Sequence, residues 1–300
     1  KKYPNTTITS LRGFFSGEAT FNYDVSGWFV GNITNTSSMF LNCKAFNQDL
    51  SSWDVRKLEI ANGMFMGATV FNKPLTGWDT ASLKQMQHMF ASTNAFNQPL
   101  NHFKVGLVDS FTGVFHGAVV FDQPLDAWDV SKGVWMSDMF KNAKAFNRDI
   151  SMWNMVSAGD INSMFSGASK FNQPIGTWNT ANVTNMERTF QSAIAFNQPL
   201  DNWNVGKVIN TGQMFQGATV FNQNLNSWNT SNVIYMFGMF QSARAFNGDV
   251  SNWDVSKVQN IFACFNSAIS FNKPLTNWNP KSVTGYVQPW NATGKYYNPG

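Results

Sequence analysis

The hydrophobic positions of this chain recur with a period of 25 residues. Two phenylalanine columns and one tryptophan column run from about residue 8 to 285 without an insertion, which makes about eleven repeats. A column repeated so often is a structural ladder, because a single 25-residue repeat cannot bury its own apolar face and must stack on its neighbours. Representative ladder residues are Phe40, Phe46, Trp53, Phe190, Phe196 and Trp203.

Each repeat is predicted to contain one short helix and one short strand. The narrow, mainly apolar stripe of a short helix is formed by the residues three, six, seven and ten positions after Val183, which are Met186, Thr189, Phe190 and Ala193. Trp203 and Val205 then share one side of an extended segment. We therefore predict an α/β fold: a single-domain tandem-repeat solenoid of about eleven 25-residue coils over residues 1–285, followed by an aperiodic tail, cap or linker at 286–300.

Polar columns accompany the apolar ones. An asparagine such as Asn47 or Asn197 follows the second phenylalanine in every repeat but one, where Asp122 replaces it. We interpret this column as a buried ladder that satisfies backbone groups of the turns. A 50-residue period is superimposed, for example at Met86 and Met136. It indicates either duplication of two-repeat blocks or alternate coils that face two environments.

The combined pattern resembles a known repeat family. The run MFQGATVFNQNLNSWNTSNV at 214–233 is similar to the 26-residue repeat of bacterial surface proteins, the family of BspA-like and mycoplasma lipoprotein repeats. The resemblance implies a leucine-rich-repeat-like fold, extracellular display, and a role in adhesion or protein contact, and it brings no catalytic motif. Residues 101–115 depart from the pattern, because Phe103, Lys104 and Val114 replace the usual residue types.

Composition narrows the function classes. Charged residues make up 13% of the chain, against about 25% in typical soluble domains, so uncharged polar residues must provide solubility, as in secreted or cell-surface proteins. The 21 Lys and Arg are scattered singly, which argues against nucleic-acid binding. No stretch approaches the ~20 apolar residues of a membrane span, so we expect no membrane insertion by this segment. The polar opening KKYPNTTITS is unlike a signal peptide and suggests a processed or recombinant fragment.

Residues that could carry chemistry are few. Cys43 and Cys264 lie in different repeats, too far apart to pair, so we expect buried free thiols. His88, His102 and His116 occupy different repeat positions and are interpreted as exposed polar substitutions. The Asp or Asn after each tryptophan is placed to start a turn. We expect no metal, no cofactor and no enzymatic activity.

Candidate contact residues depart from the repeat consensus. Trp135 and Tyr235 share one repeat position that points away from the predicted core, and Phe237 adds to the second of them. Exposed aromatic residues are favoured at interfaces. Six sequons would lie at the surface if a eukaryotic secretory host glycosylated them: Asn5, Asn32, Asn35, Asn182, Asn229 and Asn291.

Three functional hypotheses follow. The first is a non-catalytic extracellular or cell-surface scaffold for adhesion, with a protein or glycan surface as partner. The second is a structural subunit of an extracellular filament, assembled from copies of itself through solenoid ends or faces. The third is a solenoid glycan hydrolase, which would require a pair of carboxylates that breaks the repeat pattern.

Overall fold

The computed structural model describes residues 7–283 and divides into two compact units, Lys1–Asp149 (unit 1) and Ile150–Gly300 (unit 2). Both units are built from the same 25-residue repeat. The predicted tail at 286–300 lies outside the described residues.

The backbone does not contain the helices and strands that the sequence predicts. Residues 7–283 include no helix, and their β-structure is limited to isolated single-residue parallel bridges. The prediction of an α/β fold built from helix-and-strand coils is therefore wrong, whereas the tandem repeat is real. The bridges join residues 25 apart, such as Ser10 with Asn35 in unit 1 and Asn210 with Tyr235 in unit 2.

Each repeat is hydrogen-bonded to the next by alternate backbone amides. In unit 2, Met186 N–H donates to the Asn210 carbonyl and Phe190 N–H donates to the Met214 carbonyl, both at 2.9 Å. An amide between them, that of Thr189, instead closes a turn onto the Met186 carbonyl at 3.3 Å. Consecutive repeats therefore lie at β-strand hydrogen-bonding distance, which excludes the wider spacing of packed helices.

The turns explain why the periodicity was misleading. The turn from Met186 to Thr189 has Arg188 as its third residue at φ 55°, and the next turn, from Phe190, has Ser192 at φ 55°. A third residue with positive φ is the mark of a turn and cannot belong to an α-helix. Successive four-residue turns place an apolar side chain inside at every third or fourth position, and this spacing imitates the 3.6-residue period of a helix.

The two phenylalanine columns form the core of each unit. In unit 1 the rings of Phe40 and Phe65 stack with centroids 5.7 Å apart, and in unit 2 Phe190 and Phe215 stack at 5.6 Å. Within one repeat the two columns also stack on each other, as Phe190 does on Phe196 at 4.0 Å. These rings have no exposed surface, so each repeat buries its aromatic face against its neighbours.

A two-repeat period also appears at a turn position with positive φ. Glycine alternates there with serine or asparagine in both units: Gly67 follows Asn42, and Gly217 follows Ser192. A methyl group at Gly67 would collide with the Asn42 side-chain oxygen, and one at Gly217 would lie 3.2 Å from Ser192 Oγ. The side chain of one repeat thus lies over the glycine of the next, which gives the alternation a packing reason.

Candidate contact surface

The bridge column is the row of residues that forms the parallel bridges, and all of its side chains except that of Ser110 reach the surface at least in part. Where the column carries asparagine, the side chain is held by its own backbone: Asn210 Oδ1 accepts from Gly212 N–H at 2.9 Å, and Asn260 Oδ1 accepts from Phe262 N–H at 3.1 Å. This two-residue bond is an Asx turn. An aromatic residue in this column cannot make that bond, so its side chain is free to extend outward.

The predicted contact aromatics lie on this column or two residues beyond it. Trp135, in unit 1, is 53% exposed, and Tyr235, in unit 2, is 42% exposed. Phe237 is half-buried, because its ring lies over Gly212 of the preceding repeat, where no Cβ would fit. The glycine therefore provides the space that positions the Phe237 ring.

Sequence reasoning missed a third aromatic in unit 2. Phe262 stands 25 residues after Phe237 and is 52% exposed. The signal was present in the sequence, because Phe262 occupies the repeat position of Phe237, where most other repeats carry a polar residue. We call Tyr235, Phe237 and Phe262 the aromatic patch.

Polar groups adjoin the aromatic patch in the preceding repeats. Asn210 Nδ2 donates to Glu187 Oε2 at 2.9 Å, and Arg188 Nε donates to Gln213 Oε1 at 2.7 Å. These side chains are held by one another across repeats. An apolar centre with ordered polar groups beside it is the anatomy of a protein interface.

The tryptophan column has a hydrogen bond that the sequence did not reveal. Trp53 Nε1–H donates to the Val25 carbonyl at 3.0 Å, and Trp203 Nε1–H donates to the Ile175 carbonyl at 2.9 Å. Each indole thus satisfies a buried carbonyl of the preceding repeat, 28 residues earlier. The same bond is made by Trp78, Trp128, Trp178, Trp228, Trp253 and Trp278.

The departure at residues 101–115 is compensated at this bond. Phe103 occupies the tryptophan column, and its side chain has no N–H group that could donate to the Leu75 carbonyl. His102 Nε2 lies 3.0 Å from that carbonyl oxygen and replaces the missing indole donor. Since a carbonyl only accepts, the imidazole proton must be on Nε2. The His102 ring also meets the edge of Phe103 at a centroid distance of 5.1 Å.

The asparagine column ties successive repeats together at the surface. The side-chain oxygen of Asn22 accepts from Asn47 N–H at 2.9 Å, and that of Asn172 accepts from Asn197 N–H at 2.9 Å. The expectation that this column is buried was wrong: its members are half-buried or exposed. A surface position is sufficient for these hydrogen bonds, because the backbone N–H groups that the asparagine oxygens bind lie at the edge of the turns.

The one exception in the asparagine column is also compensated. Asp122 replaces asparagine and still accepts from Asn147 N–H at 3.0 Å. Arg148, the residue after Asn147, stands at the position where glutamine is usual. Its Nε donates to the Asp122 carbonyl at 2.8 Å, and its guanidinium pairs with the carboxylate at 2.9 Å.

Within residues 7–283, reactive side chains are not gathered into one centre in either unit. Both cysteines are buried with free thiols, and burial raises the pKa of Cys43 to about 11. His102 is exposed, but His88 and His116 are half-buried, which corrects the expectation that all three are exposed. Burial lowers the pKa of His116, and nearby Asp138 opposes that shift. No group of three His, Cys, Asp or Glu side chains in the described part of the chain is placed to hold a metal ion.

The carboxylates with shifted pKa values serve turns or surface ion pairs. Hydrogen bonds from Ser51 lower the pKa of Asp49, and hydrogen bonds from Ser131 lower that of Asp129. The Arg56 guanidinium, 2.7 Å from Asp54, lowers the pKa of Asp54 to about 2. These carboxylates are stabilised in the charged form, which is the opposite of what a general acid requires.

The described sequons differ in accessibility. Asn182 and Asn229 are exposed, whereas Asn32 and Asn35 are half-buried. The side-chain nitrogen of Asn182 is already engaged, since it donates to the Val156 carbonyl at 2.8 Å. The remaining sequons, Asn5 and Asn291, lie outside the described residues.

Comparison with known proteins identifies the family. The model of a family described as "Mycoplasma protein of unknown function, DUF285" matches four overlapping segments, 1–103, 75–171, 149–247 and 194–298. The chain belongs to this mycoplasma repeat family. The resemblance found in the 214–233 run is therefore confirmed, and it extends over almost the whole chain. No curated protein matches the chain. Over residues 7–283 we find no helix long and apolar enough to cross a membrane.

Proposed function

We propose that this chain is a non-catalytic repeat scaffold of the cell surface that binds a protein partner through the aromatic patch. The observation that carries the proposal is the exposure of Tyr235 and Phe262, two aromatic residues that do not belong to the buried aromatic columns. The buried phenylalanine and tryptophan columns already fill the core of unit 2. Tyr235 and Phe262 lie outside those columns and leave 42% and 52% of their surfaces exposed.

Two further features support a binding role. The bridge column is rigid, because Tyr235 is bridged to Asn210 on one side and to Asn260 on the other. A rigid platform loses little conformational entropy when a partner binds, and tyrosine is one of the residues enriched at binding hot spots.

The experiment measures binding of the purified chain to a panel of immobilised extracellular-matrix and plasma proteins. The variant Y235S/F262S removes two exposed rings, and M152S is the matched control, because Met152 is 83% exposed in the same unit but lies outside the patch. Loss of about 1–2 kcal/mol for each hot-spot ring predicts at least a tenfold weaker complex for Y235S/F262S. Absence of binding to every panel member, or equal binding by both variants, would refute the proposal.

Self-assembly is a second candidate role, and exposed aromatics in the first described repeat of unit 1 favour it. Tyr23 and Phe29 are each more than half exposed there, and they occupy repeat positions at which the next repeat carries Gln48 and Asp54. Such a cluster suits contact with a second copy of the chain. Light scattering over a concentration series would show growth into larger species, and Y23S/F29S would suppress it. A monomer at every concentration would exclude this role for the chain.

A further inference from the structure

A polar groove crosses the bridge column in unit 1. It encloses about 240 Å³, and its lining includes Arg12, Asn35, Ser37, Ile60, Asn62 and Gln85. Pockets for drug-sized ligands span about 300–1,000 Å³, so this groove suits one small unit of a longer ligand. It uses the same repeat positions that carry the aromatic patch in unit 2.

The amide oxygens of the groove already accept hydrogen bonds from the protein. Asn35 Oδ1 accepts from Ser37 N–H at 2.8 Å, and Asn62 Oδ1 accepts from Gln87 N–H at 2.9 Å. These backbone donors fix which side-chain atom is oxygen. Asn62 Nδ2 must then be a donor, and it donates to Gln85 Oε1 at 2.9 Å.

The consequence is a surface with spare donors. Asn35 Nδ2 and Gln85 Nε2 have no acceptor among the described residues, although their oxygens are held in place. Their orientation is fixed without a ligand, so binding would cost little side-chain entropy. A complementary ligand is rich in hydrogen-bond acceptors.

The charge of the groove also favours a ligand that is rich in hydrogen-bond acceptors. Arg12 is exposed and pairs with no carboxylate in residues 7–283. Glu59, which precedes Ile60, is neutralised by Lys84 at 2.9 Å. A guanidinium without an acidic partner is suited to bind a carboxylate through two parallel hydrogen bonds.

The backbone beneath the groove disfavours a peptide as the ligand. Ile60 N–H donates to Thr34 at 3.0 Å, the Ile60 carbonyl accepts from Thr36 at 2.9 Å, and Ala61 N–H donates to Gln85 at 2.9 Å. An extended peptide that adds to a sheet requires unpaired backbone groups, and these groups are used between repeats. Recognition must therefore come from side-chain amides, serine hydroxyls and the guanidinium.

We propose that this groove binds a carboxylate-bearing sugar unit of an acidic polysaccharide. Arg12 holds the carboxylate, and the amide groups of Asn35 and Gln85 donate to ring hydroxyls. The half-buried Ile60 side chain supplies an apolar contact for the C–H face of the sugar ring. This site is independent of the aromatic patch, and its residues lie in the other unit.

Titration calorimetry of the whole chain with two pairs of probes tests the proposal. An oligogalacturonate and sialyllactose are each compared with their own methyl ester, so that the source of the carboxylate is distinguished. We expect at least one of the two acids to bind, and its uncharged counterpart to bind at least tenfold more weakly. We also expect added salt to weaken binding of the acid.

Variants then assign the site. R12Q is expected to lower the affinity for the acid at least tenfold, whereas R244Q, which changes an exposed arginine in unit 2, leaves it unchanged. Y235S/F262S is also expected to leave it unchanged, which separates this site from the proposed partner surface. The proposal is overturned if neither acid binds, if R12Q and R244Q behave alike, or if a glutamate oligomer binds as tightly as the sugar acids.

Discussion

The His102 replacement of a tryptophan donor makes a prediction that a double-mutant cycle can test. Removing the imidazole in H102A leaves the buried Leu75 carbonyl without its 3.0 Å partner. An unsatisfied buried acceptor costs about 1–3 kcal/mol, and we expect the lower half of that range because His102 is exposed and water can reach the site. In F103W the restored indole would take over the carbonyl, as tryptophan does in the other repeats. The cost of H102A should then fall below about 0.5 kcal/mol.

The measurement is the urea unfolding midpoint by far-UV circular dichroism for the wild type, H102A, F103W and the double variant. The slope of each transition must be compared as well, because stacked repeats do not always unfold in one step. N202A is the control, since Asn202 is exposed and precedes Trp203, which makes its own bond to Ile175. An equal cost of H102A in both backgrounds would refute the exchange of donors, and a cost for N202A as large as that of H102A would show a general effect of the position.

Three other predictions follow from the turns and the core. G67A should destabilise the fold by more than G17A. Both glycines have positive φ, which costs alanine about 1–2 kcal/mol, but only the methyl group at residue 67 would meet a side chain of the preceding repeat. Thermal unfolding of the two variants measures the difference. Asp54 has a folded pKa of about 2, below its unfolded value of about 3.9, so its stabilising effect is complete above pH ~4 and is lost as the pH falls towards ~2. The difference in melting temperature between the wild type and D54N should therefore shrink over that interval, and a constant difference would contradict the assignment. Cys43 should resist a disulfide reagent at pH 8 in the folded chain and react after denaturation, because its thiol is buried and 2.9 Å from the Phe15 carbonyl; rapid labelling of the native thiol would contradict this.

The repeat and the family could be predicted from the sequence, but the secondary structure could not. A 25-residue period requires no knowledge of the backbone, because it follows from the spacing of residues such as Phe40 and Phe65 alone. The apolar stripe after Val183 fits a helix and a run of four-residue turns equally well. The residues that decide between them are Arg188 and Ser192, whose positive φ no hydrophobic pattern reveals.

The candidate site was predictable only in part for a related reason. Trp135 and Tyr235 stand out because they are large side chains in a polar column. Phe262 was missed although it occupies the same repeat position as Phe237, and its exposure depends on the path of the turn. The donor groove could not be predicted at all, since it depends on which amide oxygen each backbone N–H engages.

Stacking at a fixed register has a consequence for how substitutions should be interpreted. A side chain in one repeat lies against its counterpart in the next, so a residue that departs from the repeat consensus changes the contacts of the neighbouring repeat. The departure at Phe103 is compensated by His102, and the departure at Asp122 is compensated by Arg148. Compensated departures restore the stack and report on stability.

The departures that matter for binding are those for which the neighbouring repeats offer no compensation. The aromatic side chains of Trp135 and Tyr235 cannot make the Asx-turn bond that asparagine makes at their position. Phe262 stands where most other repeats carry a polar residue. None of the three gains a partner that explains the change. Arg12 likewise has no carboxylate in the described part of the chain. Because these four side chains are exposed and make no hydrogen bond or ion pair within residues 7–283, their substitution should change binding while leaving the free energy of unfolding within about 0.5 kcal/mol of the wild type. A variant at one of them that instead destabilises the chain by 2 kcal/mol or more, on the order of a core defect, would assign that residue to the stack and remove it from the contact surface.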